Sequence, residues 1–126
     1  RSCVLGCGGD RDVSKRPLMA AAAESGADHV VLTSDNPRSE SPADIVKDMR
    51  KGLQHAEAAY QELDRAKAIA YAVAHAGPHD VILIAGKGHE DTQEVAGVKH
   101  PFDDRVQAQE ALVRRANTGQ SMGVQA

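Results

Sequence analysis

The chain has 126 residues and a formal net charge of −3 at pH 7, with charges of both signs spread along it. This is one domain's worth of chain, and the lack of a concentrated basic stripe argues against a nucleic-acid partner. Its longest apolar runs are strand length, far short of the roughly 20 residues that span a bilayer, and no signal peptide opens it, so a soluble cytoplasmic protein with no membrane partner is expected.

The chain opens on Arg1-Ser2-Cys3-Val4-Leu5, with no initiator Met and a first strand, Cys3 to Leu5, starting almost at once, as expected of a fragment of a longer protein. Helix-like segments then alternate with strand-like ones: a helix over Pro17 to Ser25, a strand over Val30 to Thr33, helices over Pro42 to Lys51 and Asp64 to Ala76, a strand over Val81 to Ala85, and a helix over Asp103 to Ala116. That alternation predicts an α/β domain, a Rossmann-like and mostly parallel sheet flanked by helices. Ser41 stands where it can cap the second helix, with Pro42 at its first position, and Gly26, Gly52 and Gly77 stand where left-handed C-terminal residues are expected. Ile45, Val46 and Met49 share one helical face, as do Ile69, Ala72, Val73 and Ala76, which is the spacing for packing on a sheet. Ala58-Ala59-Tyr60 reads as a short strand. Gln93 to Lys99 alternates around Gly97 and predicts a small hairpin appended to the sheet. Residues 117–126 have no apolar period and are expected to be a disordered tail or linker after a domain spanning 1–116.

Three polar segments carry the chemistry. Gly6-Cys7-Gly8-Gly9-Asp10-Arg11-Asp12 follows the first strand and leads through Lys15 and Arg16 into a helix. Glycines there permit close backbone approach and a helix N-terminus favours an anion, so the loop either meets a phosphate or merely joins strand to helix. It is neither G-x-G-x-x-G nor a phosphate-binding loop of the G-x-x-x-x-G-K-[ST] kind. Asp35-Asn36-Pro37-Arg38 follows the second strand and sets a carboxylate, an amide and a planar guanidinium on a turn stiffened by Pro37, equipment for gripping a small zwitterion. Gly86-Lys87-Gly88-His89-Glu90 follows the strand over Val81 to Ala85. Those two strands are expected to be neighbours, so that both loops share one site at the carboxyl ends of a parallel sheet. The six histidines are dispersed and Cys3 and Cys7 lack a second pair, so reduced thiols and no metal site are expected. With Phe102, Tyr60 and Tyr71 the only aromatic residues, a stacking platform for single-stranded nucleic acid is not expected either.

Taken together, Gly-Cys-Gly-Gly-Asp-Arg-Asp-x-x-Lys-Arg-Pro, Asp-Asn-Pro-Arg and Ala-Gly-Lys-Gly-His-Glu, in this order, resemble the C-terminal domain of Mur ligases, and Asp-Asn-Pro-Arg is similar to the form in diaminopimelate-adding members. The resemblance spans about Val4 to Leu112 and extends to Pro101-Phe102-Asp103-Asp104-Arg105. It implies part of an ATP-dependent amide-bond ligase joining meso-diaminopimelate to UDP-N-acetylmuramoyl-L-alanyl-D-glutamate in peptidoglycan precursor synthesis. ATP and Mg2+ would be bound mainly by a central domain outside this chain, and the uridine-nucleotide domain and the opening strand and helix of the C-terminal domain would also lie outside it. The resemblance further implies that Glu90, Asn36 and the backbone of Gly86 receive the distal ammonium of the amino acid, with Asp35 in support. Arg38 would take its distal carboxylate and Arg11 another carboxylate, while Lys15 faces nucleotide phosphates. No catalytic residue is expected in this chain, and by itself it is expected to be inactive. A non-catalytic α/β module that binds an amino acid or small anion, and another nucleotide-binding domain, are the competing readings.

Overall fold

The computed structural model describes residues 1–86, 92–96 and 98–117. In chain order its elements are β1 (Ser2–Cys7), α1 (Lys15–Gly26), β2 (His29–Ser34), α2 (Pro42–Arg50), a 3-10 turn (Ala56–Ala58), β3 (Tyr60–Gln61), α3 (Arg65–His75), β4 (Ile82–Ala85), β5 (Thr92–Val95), β6 (Val98–Pro101) and α4 (Asp104–Asn117). The alternation expected from the sequence is present, with the short strand displaced from Ala58 to Tyr60.

β1 to β4 form one sheet in the order β3-β2-β1-β4, and every pairing is parallel. β1 therefore separates β2 from β4, which corrects the expectation that those two strands are neighbours. Apolar periodicity reports which residues are buried but carries no strand order. The period-2 alternation of β1 sends Cys3, Leu5 and Cys7 to one face, where they meet Ala20 of α1 and Ile45, Val46 and Met49 of α2. Val4 and Val31 point the other way onto Ala68, Ile69 and Ala72 of α3, with Phe102 and Ala108 packed alongside. Burying a side chain such as Leu32 or Ile45 fully contributes about 1.5–3 kcal/mol. Aliphatic residues supply nearly all of this core, in keeping with the scarcity of rings. Among the described residues no helix is long and apolar enough to cross a membrane.

The chain winds outward from β1 to β3 and then returns past β1 to β4, so the direction of winding reverses between β1 and β4. Ligands of open α/β sheets sit in the crevice outside the carboxyl ends of the strands at such a point. β5 and β6 are antiparallel and form a separate two-stranded sheet. The expected small hairpin is thus present as a sheet of its own, and an isolated bridge between Val95 and Arg38 joins it to the loop after β2.

Asp64 caps α3, its side chain accepting from the Lys67 amide at 3.2 Å. Ser41 occupies the N-cap of α2 with extended backbone, but its hydroxyl makes no capping bond, contrary to expectation. None of Gly26, Gly52 and Gly77 is left-handed: among described glycines only Gly86 has a positive φ, at 110°. At Gly52 the constraint is space, since a Cβ there would lie 1.9 Å from the Pro17 carbonyl oxygen and drive α1 and α2 apart.

The carboxyl ends of the strands are tied by Arg65, the first residue of α3. Its side chain is wholly buried and forms a two-point ion pair with Asp104 at the start of α4, Nε to Oδ1 and Nη2 to Oδ2 both at 2.7 Å. Nη1 donates to the Ser34 carbonyl at the end of β2 at 2.9 Å, and Nη2 to the Ala85 carbonyl at the end of β4 at 3.2 Å. Truncating Arg65 would strand Asp104 in the interior, and breaking a buried pair from one side costs about 3–5 kcal/mol. Arg65→Ala should accordingly lower the stability measured by denaturant unfolding by about that amount. A variant carrying both Arg65→Met and Asp104→Leu should be less destabilised than either single truncation.

Candidate functional site

The polar segments meet at the carboxyl ends of adjacent strands. The glycine loop leaves β1, the Asp35–Arg38 loop leaves β2, and Gly86 ends β4. Arg11, Lys15, Asp35 and Gly86 line one cleft of about 300 Å³ there, together with Cys7 and Arg16. Four of the residues singled out from the sequence are therefore brought together. Arg11 and Lys15 are exposed, and Lys15 is the first residue of α1, whereas Asp35 is buried. Glu90, with Lys87 to Asp91, lies outside the described residues, as do residues 118–126 of the expected tail.

Asn36, Pro37 and Arg38 do not line that cleft. They stack against the glycine loop, whose backbone approaches them closely: the Gly9 amide donates to the Asn36 carbonyl at 2.7 Å. A Cβ on Gly9 would lie 1.9 Å from the Pro37 carbonyl oxygen, so only glycine lets the two loops touch. The close approach expected towards a ligand is here an approach to the chain itself. Pro37 is fully buried and Asn36 nearly so. Gly86 has a similar reason for its identity, with φ of 110° and the Gly6 carbonyl oxygen 2.3 Å from where a Cβ would sit.

Arg38 is the one large side chain of this loop that stays within reach of solvent, 19% exposed. Its Nη1 donates to the Gly9 carbonyl at 2.9 Å and the Asn36 carbonyl at 3.3 Å, and its Nε stands 3.9 Å from a Glu94 carboxylate oxygen. Nη1 packs over Gly8, within 2.9 Å of where a Cβ would project, and the Arg11 side chain packs there too. The residue adopts a left-handed backbone, φ 52°, which an L side chain visits only when its surroundings impose it. What imposes it here is the hairpin: the Arg38 amide donates to Glu94 O at 3.1 Å and the Ala96 amide to Arg38 O at 2.7 Å.

A second buried arginine braces the site from the α1 side. Arg16 donates through Nη1 to Asp48 at 2.9 Å and through Nη2 to Glu40 at 2.8 Å and the Gly8 carbonyl at 3.2 Å. It links the glycine loop to the segment after Arg38 and to α2. The hydrogen bond from Arg16 holds the Glu40 carboxyl below its ordinary value, aided by the Asp10 amide, and likewise lowers Asp48, aided by Lys51. Asp10 is itself held low, chiefly by the Ser39 hydroxyl. Burial pushes the Cys7 thiol up to about 11, with Arg16 opposing the rise and Asp35 adding to it. Cys7 touches the cleft as a neutral thiol, 3.8 Å from the Met19 sulfur, and is no nucleophile at neutral pH.

The sequence reading missed Arg16 and Arg65 as structural cations. The signal was present. Arg65 falls in register with Ala68, Ile69 and Ala72 on the buried stripe of α3, and Arg16 with Ala20 on that of α1. A charge on an apolar stripe must find a partner.

Comparison with known proteins points one way. Residues 2–88 match the family described as Mur ligase, glutamate ligase domain. Proteins named UDP-N-acetylmuramoyl-L-alanyl-D-glutamate–2,6-diaminopimelate ligase are similar to this chain. The one from Chromobacterium violaceum is 58% identical over 110 residues, covering 87% of this chain and 22% of its own length. That from Pseudomonas aeruginosa is 56% identical over 110 residues, covering 87% and 23%. That from Acidovorax sp. is 55% identical over 113 residues, covering 90% and 23%. A solved structure bearing the same ligase name superimposes with a TM-score of 0.86 at 46% identity, over 91% of this chain and 24% of that one. The chain thus spans about a quarter of the length of the relatives it matches.

Two outcomes follow from the electrostatics. Glu40 and Asp48 ionise more readily folded than unfolded, so they stabilise the fold above the ordinary carboxylate range and that contribution is lost as pH falls through their lowered values. The denaturant midpoint should be steady between neutrality and about pH 5 and fall below about pH 4, and Arg16→Met should flatten that fall. Iodoacetamide at pH 7.5 should alkylate Cys7 in the denatured chain and leave it untouched in the folded one, as read by peptide mass spectrometry.

Proposed function

This chain belongs to the Mur ligase family, and from that premise we propose that it is the amino-acid-recognition domain of a cytoplasmic, ATP-dependent amide-bond ligase that adds meso-diaminopimelate to UDP-N-acetylmuramoyl-L-alanyl-D-glutamate. In such a ligase the D-glutamyl γ-carboxylate is activated as an acyl phosphate by transfer of the γ-phosphoryl group of ATP. An amine of diaminopimelate then attacks the acyl carbon, and phosphate leaves as the amide forms. These steps belong to the complete enzyme; the domain contributes the grip on the incoming amino acid, and by itself it turns nothing over.

The observation that carries this reading is the constrained guanidinium of Arg38, held in a left-handed conformation on a loop clamped at the switch point and still partly open to solvent. Diaminopimelate differs from lysine by one distal carboxylate, and an arginine fork matches a carboxylate with two parallel hydrogen bonds. Lysine would offer that fork no distal carboxylate. A site built around a polar group rejects the analogue lacking the matching group far more strongly than an apolar pocket rejects a missing methylene.

The neighbouring residues fit supporting roles. Arg11, exposed in the cleft, would meet a second carboxylate of the amino acid, and buried Asp35 with the Gly86 backbone, together with Asn36 and Glu90, would receive the distal ammonium. Pro37, fully buried, would serve the site by stiffening the loop that presents these groups. Lys15, at the first position of α1 in the same cleft, would face ATP phosphates when the domains close. Among the described residues no group of three or more His, Cys, Asp or Glu side chains converges as a metal site, and Mg2+ would be held mainly by the rest of the complete ligase.

Steady-state kinetics of the complete ligase with diaminopimelate and with lysine test the reading. Arg38→Ala should weaken diaminopimelate use by about 2–5 kcal/mol and narrow the preference over lysine, because it removes one member of a charge pair formed with the ligand. Arg38→Lys should restore little of it, since an ammonium cannot reproduce the planar fork. An Arg38→Ala enzyme with unchanged preference would refute the assignment.

A further inference from the structure

The hairpin that imposes the conformation of Arg38 is itself a weak element, because two strands without a sheet to join are marginal in water. Three bonds tie it to the loop it holds: Arg38 N to Glu94 O, Ala96 N to Arg38 O, and Glu94 N to the Asn36 side-chain oxygen at 2.8 Å. A loop and a hairpin bonded to each other in this way need a further contact to fix the pair against the sheet. Gln93 supplies a contact that seats the pair on the main sheet. Its side-chain Nε2 donates to the Asp35 carbonyl at 2.6 Å and to the Ser34 hydroxyl at 3.0 Å. That hydroxyl donates in turn to the Leu63 carbonyl at 2.8 Å, just before α3, while the Ser34 carbonyl accepts from Arg65. One amide group thus couples β5 to the end of β2 and to the chain that leads into α3.

We propose that Gln93 is a positioning residue for the Arg38 guanidinium, acting through the hairpin and the end of β2, and thereby a determinant of selection for an amino acid with a distal carboxylate. The inference rests on the reading of the Arg38 loop given above. Gln93 touches no substrate. Its role is to fix where the fork points, and misplacing a fork that must make two parallel bonds loses more than displacing a point charge. Glu94, 3.9 Å from the Arg38 Nε, is carried by the same strand and depends on the same anchor.

The test uses the complete ligase carrying this domain in four forms: unaltered, Gln93→Met, Arg38→Ala, and the double variant. Methionine keeps the length of the side chain and removes both donors. The readout is the ratio of kcat/KM for diaminopimelate to that for lysine, with KM for ATP measured alongside. Gln93→Met should lower the ratio about tenfold, the size expected for lost hydrogen bonds at a partly buried anchor, and leave KM for ATP unchanged. In the double variant the ratio should be no lower than in Arg38→Ala, because a residue that acts only through Arg38 has nothing left to position. An unchanged ratio in Gln93→Met beside a collapsed one in Arg38→Ala overturns the inference and leaves the functional reading intact. So does a further, additive fall in the double variant, or an equal loss with both amino acids accompanied by a raised KM for ATP. An unchanged ratio in Arg38→Ala removes the functional reading, and this inference with it. Should Gln93→Met fail to fold, Gln93→Asn, whose shorter amide cannot span both acceptors, must give the same lowered ratio or the inference falls.

Discussion

Everything at the functional end of this domain stands on the Arg65–Asp104 pair. The guanidinium reaches the carbonyls that end β2 and β4 and passes beside Gly6 of β1, where a Cβ would meet Nη1 at 2.8 Å. Three strands whose loops are related only through this end of the sheet are therefore registered against one planar group. Asp104 neutralises it and anchors α4 in the same contact. Burying the pair is costly in desolvation, and its benefit is geometric more than energetic: five donors in a fixed plane leave little freedom to what accepts from them.

Arg16 plays the corresponding part on the opposite face of the sheet, with a difference that matters for the cleft. Its acceptors Glu40 and Asp48 are partly exposed, while its own side chain is 3% exposed. Positive charge is thus internal and compensated, leaving Arg11 and Lys15 as the cations that the cleft presents. The amino-acid site proposed above would gain from that separation. Scaffold arginines keep their carboxylates, and exposed cations remain available to a ligand.

The layered architecture was legible because it is written locally. Alternating runs such as Cys3 to Leu5 and the helical stripe of Ile69, Ala72 and Val73 report burial within a few residues of chain, and those elements appear where the pattern puts them. The order of strands was not legible, because nothing in Val81 to Ala85 says that β1 will lie beside it. The site was half legible. Its motifs carry side chains of unmistakable chemistry, but nothing local says that Asn36, Pro37 and Arg38 pack on the glycines of the adjoining loop. Contacts across long separations were out of reach: Arg65 and Asp104 are 39 residues apart, and Gln93 lies 58 from the carbonyl it holds. An arginine or glutamine with a distant partner has the same local signature as one in solvent.

β4 closes one side of the sheet with an apolar surface that its own helices do not cover: Leu83 is 61% exposed and Val81, just before the strand, 64%. Ala22, Ala23 and Ala27 border the same groove and offer little bulk to shield it. A strand edge of this kind is a template for pairing with another chain, and sheets commonly blunt such edges with lysine, proline or a bulge. None of those devices interrupts Ile82–Ala85. The colloidal behaviour of this domain in isolation should therefore depend on its concentration more than on its thermal stability, and Leu83→Lys is the natural first substitution for anyone preparing it for spectroscopy or crystallisation.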